Sequence, residues 1–478
     1  MTTIMTSDLD QILTNVDENL QESISRLEAF LKIPSVSTDP AYKADCRTAA
    51  QWLADQLNDL GFDASLRDTP GHPMVVAHYI VNDSTNANGK HVPHILFYGH
   101  YDVQPPEPLE EWNSPPFEPV RTTGKDGIER IFARGAADDK GQLLTFIEAV
   151  RAMINASFIQ SLNMTLLFEG EEESGSPSLD AFLAENTKEL SHDVALVCDT
   201  NMWDAQTPAI TTRLRGMVHE EITVSGPTID LHSGLYGGAA INPIRVLTKI
   251  LGEMHDQNGK VTIDGFYDGV SELPDETAGQ WQKLDTSAQQ LLRDVGLGQP
   301  AGEKGRSILE QVWSRPTADV NGIWGGYIGA GTKTVIPAKA SAKISFRLVG
   351  QQDPAKILHG FHSFVTQRLP ADCQVTFHSD DPASVGASPA LEISQDNPAL
   401  QKAAQALEDE FGKQPVMMGC GGSIPIVGAF KEVLGMDSIL VGFGLSDDAI
   451  HSPNEKYDIN SFHKGIRSWV RIISALSV

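Results

Sequence analysis

Carboxylate and imidazole side chains follow short apolar runs at several places along the chain. They are His100 and Asp102 in HILFYGHYDV, Asp138 and Asp139 in RGAADDKG, Glu172 and Glu173 in TLLFEGEEESGS, Asp199 in ALVCDT, and His451 in AIHSPNEK. Imidazole nitrogens and carboxylate oxygens bind divalent ions such as zinc, manganese and cobalt. Two such ions carry four positive charges, which Asp138, Glu173, Asp199 and a hydroxide would balance. The pattern therefore predicts a two-metal site that activates water.

His100 and Asp102 are two residues apart, so both side chains project to the same side of an extended segment. A metal-bound histidine commonly donates its second ring N–H to a carboxylate, and Asp102 is placed to accept that bond. By itself an H-x-D pair is a common structural feature. Its interpretation as part of a metal site rests on the other acids and histidines.

Two runs of adjacent acids need an explanation. Asp138 and Asp139 precede a predicted helix, whose first N–H groups favour carboxylates, so helix capping is one interpretation. Glu171, Glu172 and Glu173 follow an apolar strand, where three adjacent acids repel one another and favour a nearby cation. One glutamate can bind metal while its neighbour remains free as a general base. The third glutamate leaves the register of the pair open.

The remaining candidates have ordinary structural interpretations when each is taken alone. Asp199 could be a turn residue after a strand, and His451 could be a loop residue. The run GCGGSIP (residues 419–425) precedes a predicted helix but lacks the lysine of a nucleotide-binding P-loop. Its N–H groups could hold a carboxylate, or the run could be a tight turn. Cys420 has no matched histidine and acid pattern and is interpreted as structural.

Helix-like and strand-like segments alternate over the first 200 residues or so. Helical spacing of apolar residues from Leu9 to Leu31 predicts one opening helix, and a second helix through Trp52 should end at Gly61. Strand-like apolar runs then accompany the helix GQLLTFIEAVRAMI; they are PMVVAHYIV, HILFYG, NMTLLFE and VALVC. Such continuous runs are typical of a sheet covered on both faces. The candidate ligands follow strand ends, where sites gather in α/β sheets.

The pattern changes near residue 213. A strand (GMVHEEITVSG) and a helix (NPIRVLTKILGEMH) precede a polar stretch over about 255–320, and KTVIPAKASAKISFRLV, the helix PAKILHGFHSFVTQRL and the strand CQVTFHS follow. This order resembles a split βαβ, ferredoxin-like unit with an insertion. The α/β pattern resumes with NPALQKAAQALEDEFG, SILVGFG and a terminal helix from Ser461. We therefore predict a catalytic domain over 1–212 and 393–478, interrupted by a smaller domain over 213–392.

Composition limits the classes of protein. The chain has 478 residues, 41% hydrophobic and 21% charged, which favours two globular domains. A net charge of −27 argues against a nucleic-acid partner. The four cysteines show no paired spacing, which indicates a reducing, cytoplasmic setting. The start, MTTIMTSDLDQ, has no secretory pattern, and no apolar run reaches the roughly 20 residues of a membrane span.

These motifs resemble those of the di-zinc aminoacylase, carboxypeptidase and dipeptidase superfamily, and within it the carnosinase-like cytosolic dipeptidases. The resemblance extends in order over nearly the whole chain, outside 255–320, and includes YGHYDVQP, ARGAADDKG, EGEEESGS, CDTNMW, DLHSGLYGG, KTVIP with FRLV, GGSIP and HSPNEK. It implies a mixed-sheet α/β catalytic domain and a smaller α+β ferredoxin-like domain that serves as lid and dimerisation surface.

The resemblance also implies a role for each residue. His100 and Asp199 would bind one metal, Glu173 and His451 the other, and Asp138 would bridge both, followed by a cis peptide to Asp139. Glu172 would be the general base and Asp102 would orient a ligand. His232 would stabilise the oxyanion, reaching across from a partner subunit in dimeric relatives. The receptor for the substrate's terminal carboxylate would be Arg347, Thr334 and Ser423.

The predicted function is hydrolysis of dipeptides or short peptides by a water bound to two metal ions, with Glu172 as base. Zinc is the favoured metal, with manganese or cobalt as alternatives, and the chain is expected to be a cytoplasmic homodimer with no nucleic-acid or membrane partner. One alternative is an N-acyl-amino-acid amidohydrolase or carboxypeptidase with the same machinery. Another is a catalytically inactive, metal-dependent peptide-binding protein, which the presence of Glu172 disfavours.

Overall fold

The computed structural model describes residues 6–81, 91–159, 162–379, 387–422 and 424–477. The chain divides into two compact units. The first comprises Met1–Thr212, Ile393–Met418 and Pro425–Val478, and the second comprises Arg213–Glu392 and Gly419–Ile424.

The α-helices of the described residues are numbered in chain order. They are α1 Thr6–Glu18, α2 Leu20–Leu31, α3 Lys43–Asp59, α4 Lys140–Asn155, α5 Leu179–Glu185, α6 Thr187–Leu190, α7 Ser233–Tyr236, α8 Pro243–Gly252, α9 Asp275–Lys283, α10 Asp285–Asp294, α11 Ile308–Trp313, α12 Pro354–Thr366, α13 Pro398–Phe411, α14 Pro425–Val433 and α15 Ile459–Leu476.

The strands are numbered in the same way. They are β1 Asp63–Arg67, β2 Met74–Tyr79, β3 His94–His100, β4 Val120–Thr123, β5 Glu129–Phe132, β6 Asn163–Glu169, β7 Val194–Val197, β8 Ala209–Leu214, β9 Gly216–Ser225, β10 Leu231–His232, β11 Thr317–Gly325, β12 Val335–Ile336, β13 Lys339–Leu348, β14 Gln374–Phe377, β15 Leu391–Glu392, β16 Val416–Cys420, β17 Ser438–Leu440 and β18 Lys456–Asp458.

The large sheet is mixed. Its order is β1-β2-β6-β3-β7-β17-β8-β15, with β16 also paired to β8. The pairs β6–β3, β3–β7 and β7–β17 are parallel, whereas β1–β2, β2–β6 and β17–β8 are antiparallel. The carboxyl ends of β6, β3, β7 and β17 therefore meet at one edge, which is where open α/β sheets place their sites.

An aromatic cluster fixes α4 on this sheet. Phe97 of β3 stacks on Phe146 of α4 with ring centroids 3.6 Å apart, and Trp469 of α15 meets Phe146 edge-on at 5.4 Å. The indole N–H of Trp469 donates to Thr145 at 3.1 Å, so this buried polar group is satisfied. Since α4 begins directly after Asp139, the packing also fixes the loop before it.

The second unit has ferredoxin-like topology. Its four-stranded antiparallel sheet has the order β11-β13-β9-β14, and α8 and α12 connect or follow these strands as in a split βαβ repeat. Alternate residues of β9 and β13, such as Ile222 and Phe346, are buried in one core with Leu247 of α8 and Phe361 of α12. A mixed α/β sheet accompanied by a smaller α+β unit confirms the predicted fold class.

The predicted elements differ from the structure in a few places. The prediction of a single opening helix is wrong, because Asn19 separates two helices, α1 and α2. The side-chain amide of Asn19 donates to the Asn15 carbonyl oxygen at 2.8 Å, a local bond that competes with helical continuity. Helix α3 ends as predicted, with Gly61 at φ +88°. Within the described residues, no helix is both long and apolar enough to cross a bilayer.

Glu410 of α13 binds α15 through a buried cluster of charges. Its side chain is 1% exposed and accepts hydrogen bonds from Lys464 at 2.7 Å, Arg467 at 2.8 Å and Arg471 at 2.9 Å. Burial alone would raise the pKa of Glu410, but the hydrogen bonds from the three cations outweigh burial and lower it from its ordinary 4.5. The cluster therefore stabilises the first unit when Glu410 is ionised.

Replacement of Glu410 by glutamine should lower the free energy of unfolding by about 2 kcal/mol at neutral pH, because the amide is a poor acceptor for three cations. Since the folded-state pKa is lowered, this contribution is complete above about 4.5 and disappears as the pH falls through the folded value. Thermal unfolding of both proteins over a pH series measures the difference. A difference in unfolding free energy between the two proteins that stays constant into the acid range would contradict stabilisation by these ion pairs.

Candidate metal centre

The candidate ligands of the first unit lie at the carboxyl edge of the large sheet. His100 is the last residue of β3, and Asp199 comes two residues after β7. Glu172 and Glu173 lie in a 3₁₀ turn, Glu172–Ser174, three residues after β6. The parallel alignment of β6, β3 and β7 brings these segments together, although they are separated by many residues in the sequence.

His100, Asp138 and Asp199 form the first ligand group. The Nε2 atom of His100 lies 3.1 Å from Asp138 Oδ1 and 3.9 Å from Asp199 Oδ2. The Nδ1 atom of His100 lies 3.1 Å from the backbone oxygen of Asp102 and 3.4 Å from its carboxylate. If Nδ1 carries the proton and donates to Asp102, Nε2 is left free to bind a cation.

Asp138, Glu173 and His451 form the second ligand group. The Nε2 atom of His451 lies 3.0 Å from Asp138 Oδ2 and 3.3 Å from Glu173 Oε2. His451 has a left-handed backbone with φ +60° and is 55% exposed, so the second group is the more open of the two. The two oxygens of Asp138 thus face different groups, which is the geometry of a bridging carboxylate. The peptide bond between Asp138 and Asp139 is cis, as predicted.

The charge balance of the cleft fits divalent cations. The candidate ligand atoms of each group lie within 4.8 Å of one another. Among the described residues, no lysine or arginine forms an ion pair with Asp138, Glu173 or Asp199. The Oε1 atom of Glu173 is buried without a hydrogen-bond partner. Burial, and then repulsion from the neighbouring carboxylates, raises the pKa of Asp199 well above its ordinary value, so a cation would be needed to keep it ionised.

Asp102 connects the two ligand groups. Its Oδ1 faces the His100 ring, and its Oδ2 accepts the backbone N–H of Glu173 at 3.0 Å. Asp102 therefore contacts the His100 ring through its backbone oxygen and binds the turn that carries Glu173 through its carboxylate.

The geometry distinguishes the three adjacent glutamates. Glu171 is buried and accepts backbone N–H groups from His72 at 3.1 Å and Ser178 at 3.2 Å, so its carboxylate holds loops. Glu173 belongs to the second ligand group, whereas Glu172 belongs to neither. Burial raises the pKa of Glu172 to about 6, with His100 lowering it and Glu173 raising it. A carboxylate outside the ligand groups with a pKa near neutrality has the property of a general base.

The sequence predicted no role in the site for the side chains of Gln104 and Asp139. Gln104 donates through Nε2 to Glu173 Oε2 at 2.7 Å, which sets the orientation of that carboxylate. Asp139 accepts the backbone N–H of His100 at 3.1 Å and the Cys198 thiol at 3.5 Å, and burial raises the pKa of Asp139 to about 7. Both lie beside predicted ligands, but their roles depend on contacts that residue types alone do not indicate.

The second unit contains three other predicted site residues, His232, Thr334 and Arg347. His232 of β10 is exposed, and its Nδ1 accepts the Gly234 N–H at 3.0 Å. The ladder with β12 brings His232 next to Thr334, whose carbonyl oxygen accepts the Ser233 N–H at 3.1 Å. Arg347 lies on β13. Ser423 lies outside the described residues.

Arg215 is a further cationic side chain of the second unit. Arg215 directly precedes β9, in which Met217 pairs with Arg347 of β13. The Nε atom of Arg215 donates to the Gly421 carbonyl oxygen at 3.0 Å. Burial, and then the charge of Arg347, lowers the pKa of Arg215 to about 10. Among the described residues, neither guanidinium has a carboxylate within ion-pair distance.

Two ligand groups that share one aspartate at the edge of a mixed α/β sheet define a metal-dependent hydrolase. The chain belongs to peptidase family M20/M25/M40, whose model matches residues 96–475. It is 31% identical to the Cys-Gly metallodipeptidase DUG1 of Candida albicans over 96% of both chains.

Solved structures agree with this assignment. A metallo-carboxypeptidase of the M20 family from Sulfolobus solfataricus superposes with a TM-score of 0.77 at 30% identity, covering 95% of this chain and 99% of that one. Human carnosine dipeptidase 1 superposes with a TM-score of 0.74 at 25% identity, covering 98% of both chains. The predictions of a carnosinase-like metallopeptidase and of metal-dependent dipeptide hydrolysis are confirmed, and the enzyme uses divalent metal ions.

Exchange of Glu173 and of Glu172 for glutamine should give opposite results. Glu173→Gln should lower the metal content by up to one ion per subunit, because an amide is a weaker ligand than a carboxylate. Glu172→Gln should retain the metal and lose at least about 100-fold in turnover, because it cannot accept a proton. Elemental analysis beside a peptidase assay measures both, with Glu171→Gln as a neighbouring control that should keep its metal. Metal loss in Glu172→Gln but not in Glu173→Gln would reverse the assignment.

Proposed function

We propose that this chain hydrolyses dipeptides with a free C-terminal carboxylate at a two-zinc centre. Its ligands are His100 and Asp199 at one ion, Glu173 and His451 at the other, and Asp138 between them. The most direct support is that the two oxygens of Asp138 face different histidines. Its Oδ1 lies 3.1 Å from His100 Nε2, and its Oδ2 lies 3.0 Å from His451 Nε2. Two imidazoles with carboxylates favour zinc, and manganese or cobalt are the alternatives.

Bound divalent ions would lower the pKa of a water molecule and polarise the carbonyl of the scissile amide. Glu172 removes a proton from the attacking water, so that the new C–O bond forms as the carbonyl becomes tetrahedral. The same carboxyl group then gives the proton to the leaving amine nitrogen as the C–N bond breaks. Burial raises the pKa of Glu172 to about 6, which suits a group that both accepts and returns a proton near neutrality.

Selection for a terminal carboxylate is assigned to the second unit. Arg347 binds the carboxylate through its guanidinium fork, assisted by Thr334 and Ser423. Arg215 lies close enough to Arg347 for the charge of Arg347 to lower its pKa, and it adds a second positive charge. Two guanidinium groups without acidic partners favour an anionic ligand. The relative named as a Cys-Gly metallodipeptidase makes cysteinyl-glycine the first substrate to test.

The carboxypeptidase and N-acyl-amino-acid alternatives use the same chemistry. The similarity to a structure named as a metallo-carboxypeptidase supports testing carboxypeptidase activity by experiment. A catalytically inactive binding protein is disfavoured by the presence of Glu172 beside the two ligand groups.

A substrate panel separates these functions. Metal-stripped enzyme is assayed with cysteinyl-glycine, β-alanyl-histidine, longer peptides and N-acetyl-amino acids, with zinc, manganese or cobalt added in turn. We expect turnover only with added metal and the highest kcat/KM on a dipeptide. Matched dipeptide amides should be poor substrates by at least about 10-fold, because Arg347 loses its ionic partner. Preference for N-acetyl-amino acids, or equal rates on the amides, would overturn the dipeptidase proposal.

The oxyanion donor is His232, supplied by the second unit of a partner subunit in a homodimer. Exposed apolar side chains of the edge strand β11 and the segment after it support a pairing surface; they are Val320, Ile323, Trp324, Tyr327 and Ile328. Exposed aromatic and aliphatic residues on a strand with a free edge are typical of an interface between chains.

Complementation tests this proposal. His232→Ala and Glu172→Ala homodimers should each be nearly inactive, because every site lacks the donor or the base. A mixed dimer has one site with both groups, so it should regain roughly half the activity of a wild-type dimer. Size-exclusion chromatography with differently tagged subunits verifies exchange. Absence of recovery after verified exchange would show that His232 acts within its own chain or not at all.

The enzyme is assigned to the cytoplasm. Among the described residues, Cys46, Cys198, Cys373 and Cys420 form no disulfide, and three of them are buried. Cysteines that form no disulfide are typical of a reducing compartment.

A further inference from the structure

Glu455 is a fully buried glutamate four residues after His451, and it has no part in either ligand group. Its Oε1 accepts the backbone N–H groups of Ala137 at 2.8 Å and Asp138 at 3.1 Å. Its Oε2 accepts the backbone N–H of Gly135 and the guanidinium of Arg134, both at 2.9 Å. One carboxylate thus binds four donors of the loop that leads into Asp138.

This contact joins two segments that are separated by more than 300 residues. Glu455 also accepts the Ala133 N–H through its backbone oxygen at 3.1 Å, and the ladder between β5 and β18 begins at the next residue, Lys456 opposite Phe132. His451 lies four residues before Glu455 in the sequence, and Asp138 is hydrogen-bonded to the Glu455 carboxylate. The Nε2 atom of His451 is 3.0 Å from Asp138 Oδ2. The Glu455 carboxylate therefore connects the segment that carries His451 to the backbone N–H of Asp138.

A buried Arg134–Glu455 ion pair alone would be an ordinary structural feature. Arg134 is indeed 1% exposed, and its other terminal nitrogen donates to the Pro105 carbonyl oxygen at 3.2 Å. However, three of the four donors to Glu455 are backbone N–H groups, and one of them is that of Asp138. A structural pair would not require the carboxylate to bind the backbone of a candidate ligand.

We propose that Glu455 is a positioning residue, which fixes the Asp138 loop against the His451 loop so that Asp138 and His451 can bind the same metal ion. This inference rests on the proposed two-metal centre. Residues that orient metal ligands typically change metal affinity 10–100-fold when they are replaced. Glu455 should therefore act on metal affinity before it acts on the chemical step.

The test is Glu455→Gln in the full chain. The amide keeps the size of the side chain but turns one acceptor into a donor that faces two N–H groups. Zinc alone is titrated into metal-stripped protein against a chromophoric chelator. We expect the affinity for one of two zinc ions to fall roughly 10–100-fold and the other to change little. Activity should be low at limiting zinc and should be restored substantially by excess zinc, with a KM close to that of wild type.

Glu410→Gln is the matched control, since Glu410 is a comparably buried glutamate whose cationic partners all lie on α15. It should lower thermal stability and leave both zinc affinities unchanged. If Glu455→Gln does not fold, Glu455→Asp keeps the charge while withdrawing the carboxylate and should lower the same affinity. Wild-type zinc affinities in whichever variant folds would overturn the proposal. Lack of dipeptidase activity in the zinc-loaded wild-type enzyme would instead refute the proposed function. The zinc affinities would still test the role of Glu455, because their measurement does not depend on activity.

Discussion

The crowding of carboxylates at one edge of the large sheet is the constraint on which the rest of the structure depends. Asp138, Asp199, Glu172 and Glu173 converge with His100 and His451, and none of the four acids is neutralised by a lysine or arginine of the described residues. Buried like charges at this separation raise one another's pKa unless a cation is present. The fold therefore builds a site whose charged state is completed by metal.

Buried polar side chains around this site form hydrogen bonds with the candidate ligands and with the loops beside them. Asp102 connects the His100 ring to the turn of Glu173, and Asp139 holds the backbone of His100. Glu171 and Glu455 bind backbone N–H groups of neighbouring loops. Buried carboxylates are costly unless their acceptor atoms are satisfied, and Asp102, Asp139 and Glu455 each accept the backbone N–H of a candidate ligand. The polar interior thus positions the site as well as stabilising the fold.

Residue types indicated His100, Asp138, Asp199 and His451 as candidate ligands, and His100 and Asp199 lie at one sheet edge because parallel strands bring successive carboxyl ends together. The ferredoxin-like unit was also predictable, since period-two and helical patterns alternate clearly over its strands and helices. The register among Glu171, Glu172 and Glu173 was not, because three identical side chains differ only in the contacts of the folded turn. The roles of Arg215, Gln104 and Glu455 were not predicted for the same reason. Each depends on contacts with residues that are far away in the sequence and become neighbours only in the folded chain. The break at Asn19 depends on a single local side-chain bond within an otherwise continuous apolar pattern.

The proposed two-metal centre requires Asp138 to bind both metal ions. Anomalous diffraction from crystals of the zinc-loaded enzyme, measured on both sides of the zinc absorption edge, tests this most directly. We predict two anomalous peaks about 3.5–4 Å apart, one beside each oxygen of Asp138. The first should lie next to His100 and Asp199, and the second next to Glu173 and His451. A single peak, or a pair of which one has no contact with Asp138, would contradict the account.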